Sequence, residues 1–328
     1  MEVKHSRGLR LPQLDGANHD SMVDLWRRFF TRVNVDRMED NFNYNAQICL
    51  ASETEEAVDG VALAHDYAKM VMGDVAGIPA SDVYLMQDYC LIFNRESYNR
   101  LDDLHGAFKD LYSYCEDALR RKSKETCNDL FSTISCGERI GTYSHETAVA
   151  NAMILLASGY DDIANAVSNA LLAFSTHPHE WYLLNSMTEA SLDIAVDECL
   201  RWDSPIKSNA RIVNNIGGMS IELGGEMLSP GELVYWLPIG ANHDPAIFKN
   251  PERFDVYRRP NQHLTFGAGK HHCMGVHYSK IALREFLREA RQTWKTLELD
   301  CEMDDLDRYD VLGSNALVSL PLWKTEAI

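Results

Sequence analysis

The sequence predicts a mainly helical protein with a small β component. Apolar residues recur at helical spacing through the first two thirds of the chain, and short strand-like segments between glycines follow. A glycine-containing loop then leads into one more amphipathic helix. Because we find no internal repeat, low-complexity run or flexible linker, residues 1–328 are interpreted as a single domain.

Composition and charge argue against several classes of protein. The chain is 45% hydrophobic and 24% charged, as is usual for a globular protein. Its net charge of −18 disfavours unassisted binding to nucleic acid or to an anionic membrane surface. No membrane span or signal-peptide core is evident, and the eight cysteines contain no C-x-x-C pair. We therefore expect a cytoplasmic protein with reduced thiols, without a membrane or nucleic-acid partner.

The predicted helices lie mostly before residue 203. Helical periodicity covers residues 22–38, 56–75 and 101–121. A longer apolar helix follows over residues 144–174, with Ser144 as its N-cap, and we expect it to be central. Another helix ends near Trp202, and a last one covers residues 275–294.

Three short strands are predicted between the last two helices. They cover residues 206–213, 220–223 and 233–236, and paired glycines or a Pro-Gly turn separate them. Residues 255–273 contain turn formers and few periodic apolar positions. This segment is predicted to be a loop that ends at the last helix.

The end of that loop carries the main candidate for chemistry, Cys273. Residues 266–275 read FGAGKHHCMG, so the cysteine lies just before a helix. The helix dipole and the neighbouring Lys270, His271 and His272 are expected to lower the thiol pKa. The residues alone leave three interpretations open: a metal ligand, a nucleophile with a histidine as its base, and a buried structural cysteine.

The segment FGAGKHHCMG matches F-G-x-G-x-H-x-C-x-G at every fixed position, and it resembles the haem-binding loop of the cytochrome P-450 family. About 70 residues earlier, Glu198 and Arg201 resemble the E-x-x-R motif of that family, at a spacing that puts both charges on one helix face. Arg253 in the segment PERF resembles the second arginine of the family's buried triad. The resemblance extends from about His19 to the C-terminus.

The resemblance implies a mainly α, cytochrome P-450-like fold that binds haem b, iron protoporphyrin IX. Cys273 would be the axial ligand of the iron, which is the metal site. Histidine and arginine suit the haem propionates because they form charge-assisted hydrogen bonds with carboxylates. The resemblance implies cofactor contacts at Phe266, Gly267 and Gly275 and, for the propionates, at His19, Arg211, His263 and His271. Val23 stands where family members usually carry a further arginine.

The long helix departs from the family motif A-G-x-D/E-T, because the aligned residues 158–162 read SGYDD. Asp161 matches the family's acid, and Asp162 replaces its threonine. Burial and mutual repulsion both disfavour ionisation, so we expect coupled titrations and one carboxyl that stays protonated near neutral pH. Both are candidate catalytic residues, and whichever of the two stays protonated is expected to act as a general acid. Alternatively, Asp162 caps a local kink or meets a cation.

The resemblance also implies where a substrate would bind. Contacts are expected from the long helix and from the segment after Pro205, at Leu155, Ser158, Gly159, Ile206 and Lys207. Lys207 is either a contact for an anionic substrate or a solvated lysine.

Only eighteen residues precede His19, whereas family members carry several tens there. We expect a reduced small β lobe that lacks the usual N-terminal helix and sheet segment. Its exposed strand edge would invite pairing with a second subunit or a partner protein.

In function, the resemblance implies a monooxygenase, an oxidoreductase that oxidises a small organic substrate, in specialised (secondary) metabolism. Electrons would come from a ferredoxin and its reductase, with a basic patch at Arg27, Arg28, Arg32 and Lys270 as the docking site. The missing threonine leaves a peroxygenase, or a haem enzyme for dehydration or rearrangement, as one alternative. A degenerate partner or activator protein is the other, although the intact haem loop argues against it.

Overall fold

The computed structural model describes residues 10–83, 101–124, 128–214 and 218–326 and, for residues 101–104, the backbone alone. Helices dominate, which confirms the predicted fold class. The helices are α1 (Gly16–Trp26), α2 (Arg32–Ser52), α3 (Gly60–Ala76), α4 (Leu101–Lys122), α5 (Leu130–Arg139), α6 (His145–Thr176), α7 (Pro178–Ser186), α8 (Leu192–Trp202), α9 (Pro238–Ala241) and α10 (Val276–Thr293). Within the described ranges, none is both long and apolar enough to cross a bilayer.

The strands are short and form small antiparallel sheets. They are β1 (Ala57–Asp59), β2 (Asn209–Ile212), β3 (Ile221–Leu223), β4 (Glu226–Leu228), β5 (Leu233–Trp236), β6 (Trp294–Leu299) and β7 (Pro321–Glu326). One sheet has the order β1-β7-β6, with Val58 opposite Leu322. Strands β2 and β5 form a separate pair, with Arg211 opposite Val234, and β3 and β4 form a hairpin.

Helix α6 is the centre of the fold, as predicted from its apolar composition. It begins after Ser144, whose hydroxyl accepts a hydrogen bond from the backbone N–H of Thr147 at 3.3 Å. Most of its side chains are buried, and it packs against α3, α4, α5, α8 and α10. A helix that is apolar on nearly all sides is stable only when other elements surround it in this way.

The predicted helix over residues 22–38 is wrong, because the structure has two helices there. Helix α1 ends at Trp26 and α2 begins at Arg32. The side-chain amide of Asn34 donates to the carbonyls of Arg28 and Phe29, both at 3.1 Å, and so closes the turn between the helices. Phe29 in this turn is 1% exposed and stacks on Tyr278 of α10, so apolar periodicity continues through a non-helical segment.

Other boundaries differ less from the prediction. The segment predicted as helix from residue 56 starts with β1, and Asp59 then caps α3 by accepting from Val61 N at 2.9 Å. Helices α5 and α7 and strands β6 and β7 had not been predicted.

A buried ion cluster around Glu198 fastens α8 to the segment that follows β5. Glu198 and Arg201 are both 0% exposed and form two hydrogen bonds, at 2.8 and 2.9 Å. The Arg201 guanidinium also donates to the carbonyls of Asn242 and Pro251, at 2.9 and 3.0 Å. The motif predicted from the i, i+3 spacing is therefore a buried pair.

Arg258 completes this cluster, and the prediction of Arg253 was wrong. The Nε atom of Arg258 lies 3.0 Å from both carboxylate oxygens of Glu198. The Arg253 side chain is exposed, and only its carbonyl joins the cluster, where it accepts from Arg201 and Arg258 at 3.2 and 2.6 Å. Chain direction explains the difference, because turns closed by hydrogen bonds from Arg253 N to Asn250 O and from Arg258 N to Asp255 O flank the buried Phe254, and the second turn brings Arg258 inward.

Asn242 links the Glu198 cluster to the start of the cysteine loop. Its carbonyl accepts from Arg201, and its side chain accepts from Leu264 N at 2.7 Å and donates to the Thr265 hydroxyl at 3.1 Å. Thr265 in turn donates to the carbonyl of Leu200 at 2.7 Å. The loop that leads to Cys273 is thereby fixed to α8.

The two arginines give a matched test of the cluster. We expect Arg258→Ala to lower the free energy of unfolding by about 3 kcal/mol, because it removes one partner from a buried carboxylate. Arg253→Ala should change it by less than about 0.5 kcal/mol, because that side chain is exposed. Urea denaturation of both variants measures the difference. Equal losses would contradict the assignment of Arg258.

Candidate active site

Cys273 lies in a tight loop that ends at α10. Gly267 and Gly269 have φ angles of +70° and +73°, a region that favours glycine. The backbone N–H of Cys273 donates to the carbonyl of Phe266 at 2.9 Å and folds the loop back on itself. The side chain is exposed, and the N–H of Gly275 donates to its sulfur. The thiol is thus held in place and accessible.

The thiol pKa is raised to about 11, so the prediction that it would be lowered was wrong. The sulfur is open to solvent on one side, yet the surrounding protein removes enough water to disfavour the thiolate, and the charge of Asp162 adds to this effect. The cationic neighbours are directed elsewhere, because Lys270 and His271 contact Asp20 and Asp15 at 3.4 and 3.3 Å. A positively charged metal ion would reverse this preference.

One face of α6 looks onto the same space as Cys273. Leu155, Ser158, Gly159 and Asp162 are partly exposed on a helix that is otherwise mostly buried, and their spacing puts them on one side. Met72 of α3 packs against Gly159, where a Cβ atom would lie 2.7 Å from the Met72 side chain. The Asp162 carboxylate lies close enough to the Cys273 sulfur for its charge to raise the thiol pKa.

The two adjacent carboxyl groups have different surroundings. Asp161 is 2% exposed, and its Oδ2 atom accepts from Asn165 at 3.2 Å and from Ser314 at 3.1 Å. Burial raises the pKa of Asp162 well above its ordinary value, and the charge of Asp161 raises it further. This direction agrees with the expectation that one carboxyl of the pair resists ionisation, and it falls on Asp162, whose role as a general acid stays a prediction.

His19 and His271, two of the predicted propionate contacts, lie side by side. Their ring centroids are 4.6 Å apart, and His19 is 4% exposed. Arg211 is exposed on β2, where it donates to the side chain of Asn209 and the carbonyl of Ala210. Their contacts with propionates stay predictions.

His263 lies against α8 instead of with the other two histidines. Its side chain is 5% exposed, and Nε2 lies 3.3 Å from a carboxylate oxygen of Asp197. Its Nδ1 atom is buried without a hydrogen-bond partner among the described residues. A propionate contact there also stays a prediction.

The wall after α8 is held by the C-terminal segment. Ile206 pairs with Ser314 in an antiparallel bridge, and the N–H of Lys207 donates to the carbonyl of Gly313 at 2.8 Å. The Lys207 ammonium donates to the carbonyl of Tyr309 at 3.1 Å. Its pKa is lowered, first by burial and then by the charge of Arg308. Lys207 is thus a partly buried cation and not a freely solvated one.

These residues fit a flat, anionic, metal-containing group such as haem. The loop offers an accessible sulfur between glycines, and the His19–His271 pair and Arg211 supply polar donors of the kind that carboxylates require. The buried Nδ1 of His263 leaves one polar atom still to be satisfied. The sulfur of Cys273 is a soft ligand of the kind that haem iron accepts, so Cys273 would hold the metal.

The predicted basic patch is largely offset by acidic neighbours. Three of its four cations lie within 3.6 Å of an aspartate: Arg27 with Asp24, Arg32 with Asp36, and Lys270 with Asp20. The net field that this surface presents to a negative partner is therefore weak.

Sequence reasoning missed Asn165 and Ser314 as partners of Asp161. Asn165 was detectable in principle, because it follows Asp161 by four residues and so lies on the same helix face. Ser314 is 153 residues away in the chain and has no local signal.

Substitution of Asp162 tests the raised pKa without any cofactor chemistry. Above the ordinary value of 3.8, the folded protein binds more protons at Asp162 than the unfolded chain does. The free energy of unfolding therefore falls as pH rises toward the folded-state pKa, by at most about 1.4 kcal/mol per pH unit. Asp162→Asn lacks this decline, so we expect it to gain stability relative to the natural chain as pH rises.

Urea denaturation at about pH 5 and about pH 8 measures this difference. The exposed Asp304→Asn is the matched control and should follow the natural chain. A stability difference that does not change between the two pH values would contradict a raised pKa at Asp162.

Comparisons with known proteins agree with the geometry. A family model described as cytochrome P-450 matches residues 186–297, which include Glu198 and Cys273. A putative cytochrome P-450 133B2 of Xylella fastidiosa is 30% identical over 96% of this chain and 76% of its own length. The biotin biosynthesis cytochrome P-450 of Bacillus subtilis is 28% identical over 78% of this chain, which spans 64% of that relative.

A solved structure is similar over nearly the whole chain. The crystal structure of CalO2 superposes with a TM-score of 0.89 and 26% identity, and it covers 99% of this chain and 82% of CalO2. The helical architecture, the Glu198 cluster and the cysteine loop all occur in the order expected from the resemblance. The chain belongs to the cytochrome P-450 family, whose cofactor is haem b.

Proposed function

We propose that the protein is a haem-thiolate monooxygenase that inserts an oxygen atom into a small organic substrate. The observation that carries this proposal is the exposed Cys273 sulfur in its glycine loop, with the partly exposed Asp162 close enough for its charge to act on the thiol pKa. Haem iron with a thiolate ligand supplies the activation of dioxygen. A biosynthetic role is supported by the name of the biotin biosynthesis relative, and within biosynthesis we propose specialised metabolism.

Each residue of the site has a defined task in this proposal. Cys273 would hold the haem iron as a thiolate, because a bound metal would stabilise the charged sulfur against the burial that disfavours it. Asp162 holds a proton at its carboxyl on the opposite side and acts as the general acid. Leu155, Ser158 and Ile206 line the space between them, exclude water and position the substrate.

The partners are a small-molecule substrate and an electron donor, for which we propose a ferredoxin with its reductase.

The exposed surface of β2 and β5 supports a further protein contact. Its apolar side chains Ile212, Leu233 and Tyr235 are 70%, 53% and 46% exposed. We propose a second copy of this chain or a partner protein at that surface, and one haem domain per chain. The six described cysteines are free thiols, which supports a cytoplasmic location.

Isotope labelling tests the reaction type. The haem-loaded protein is incubated with ferredoxin, reductase, NADPH and a small-molecule extract under isotopically heavy dioxygen. Products that gain one heavy oxygen atom are expected, and Cys273→Ala should form none of them. The variant Cys301→Ala, at a partly exposed thiol outside the loop, is the matched control and should retain the products.

Three other outcomes would replace the proposal. Product formation with hydrogen peroxide but not with dioxygen and the electron donor would identify a peroxygenase. Products without added oxygen atoms would identify dehydration or rearrangement. Failure to take up haem would leave a partner or activator protein as the function.

A further inference from the structure

The Asp161 carboxylate is tied to the C-terminal segment by a buried hydroxyl. Ser314 is 7% exposed and donates to Oδ2 of Asp161 at 3.1 Å. The amide of Asn165, one turn along α6, lies 2.9 Å from the Ser314 hydroxyl and 3.2 Å from the same carboxylate oxygen. Three polar side chains therefore form a closed triangle inside the protein, where hydrogen bonds fix orientation strongly.

The backbone around Ser314 is hydrogen-bonded to the predicted substrate wall at residues 205–208. Ser314 is paired with Ile206, and the N–H of Asn315 donates to the carbonyl of Pro205 at 2.8 Å. The Ser208 hydroxyl donates to the carbonyl of Leu312. Residues 205–208 and 312–315 are thus joined as one hydrogen-bonded unit that contains both Ile206 and Ser314.

The far side of this unit is fixed by a second polar group. The Arg308 guanidinium donates to the side chain of Asn169 and to the carbonyl of Asn315, at 3.0 and 2.9 Å. It also pairs with Asp203 at 2.5 Å. Arg308 thus anchors Asn315, the neighbour of Ser314, while the Ser314 hydroxyl links the segment to the Asp161 carboxylate.

We propose that Ser314 is a positioning residue that transmits occupancy of the pocket at Ile206 to the Asp161 carboxylate. A molecule that presses on Ile206 shifts Ser314 and changes the hydrogen bonding of Asp161, beside the acid Asp162. This inference rests on the proposed function, because it takes Ile206 as part of the substrate wall. It assigns the C-terminal segment a part in reporting substrate to the catalytic carboxyls.

Infrared difference spectra of the resting ferric protein test this link without turnover. The probe is 4-phenylimidazole, which binds haem iron from the substrate side. We expect its addition to shift a carboxylate band that Asp161→Asn removes. Ser314→Ala should lose this shift while its affinity for the probe changes less than about twofold, since the hydroxyl does not line the pocket.

Two further variants separate positioning from folding. Ser314→Thr keeps a hydroxyl and should retain the shift, and Ser319→Ala, at an exposed serine of the same segment, should match the natural chain. An unchanged shift in Ser314→Ala, or a shift that Asp161→Asn does not remove, overturns the proposal. Either result leaves the isotope-labelling test of monooxygenation unaffected, so the two claims fail separately.

Discussion

The buried carboxylate of Glu198 is the interaction on which the position of Cys273 depends. Two arginines, one amide and one backbone N–H converge on its two oxygens. Such a carboxylate would be costly to bury without these partners, so the chain around it has little freedom. Through Arg201 and Asn242 this constraint reaches Leu264, nine residues before Cys273. The cluster thus acts far from the chemistry yet sets where the sulfur lies.

A second set of buried polar groups positions the opposite side of the site. Asp161, Asn165 and Asn169 recur every four residues along one face of α6 and meet the C-terminal segment at Ser314 and Asn315. Apolar packing alone would hold α6 in place without specifying the orientation of its carboxyl groups. These hydrogen bonds add that orientation for Asp161, whereas Asp162 is partly exposed and lies close enough to Cys273 for its charge to act on the thiol.

Local patterns predicted much of this arrangement, and long-range contacts account for what they missed. The cysteine loop, the Glu198–Arg201 pair and α6 depend on short spacings, so the sequence contains their signal. Which arginine joins Glu198 depends on how a loop turns. The motif predicted Arg253, whereas the folded loop brings Arg258 to the carboxylate. The prediction of a lowered thiol pKa was wrong because burial by the surrounding fold outweighs the local charges, and because Lys270 and His271 contact Asp20 and Asp15 instead of the sulfur.

The central claim, that Cys273 gives haem iron a thiolate ligand, is tested most directly by the reduced carbon-monoxide difference spectrum. The haem-loaded protein should show a Soret maximum at about 450 nm, as a thiolate opposite carbon monoxide produces. The maximum should be absent in Cys273→Ala and retained in Cys199→Ala, whose buried thiol lies on α8. A maximum that survives the loss of Cys273, or one at shorter wavelength in the natural chain, would contradict the account.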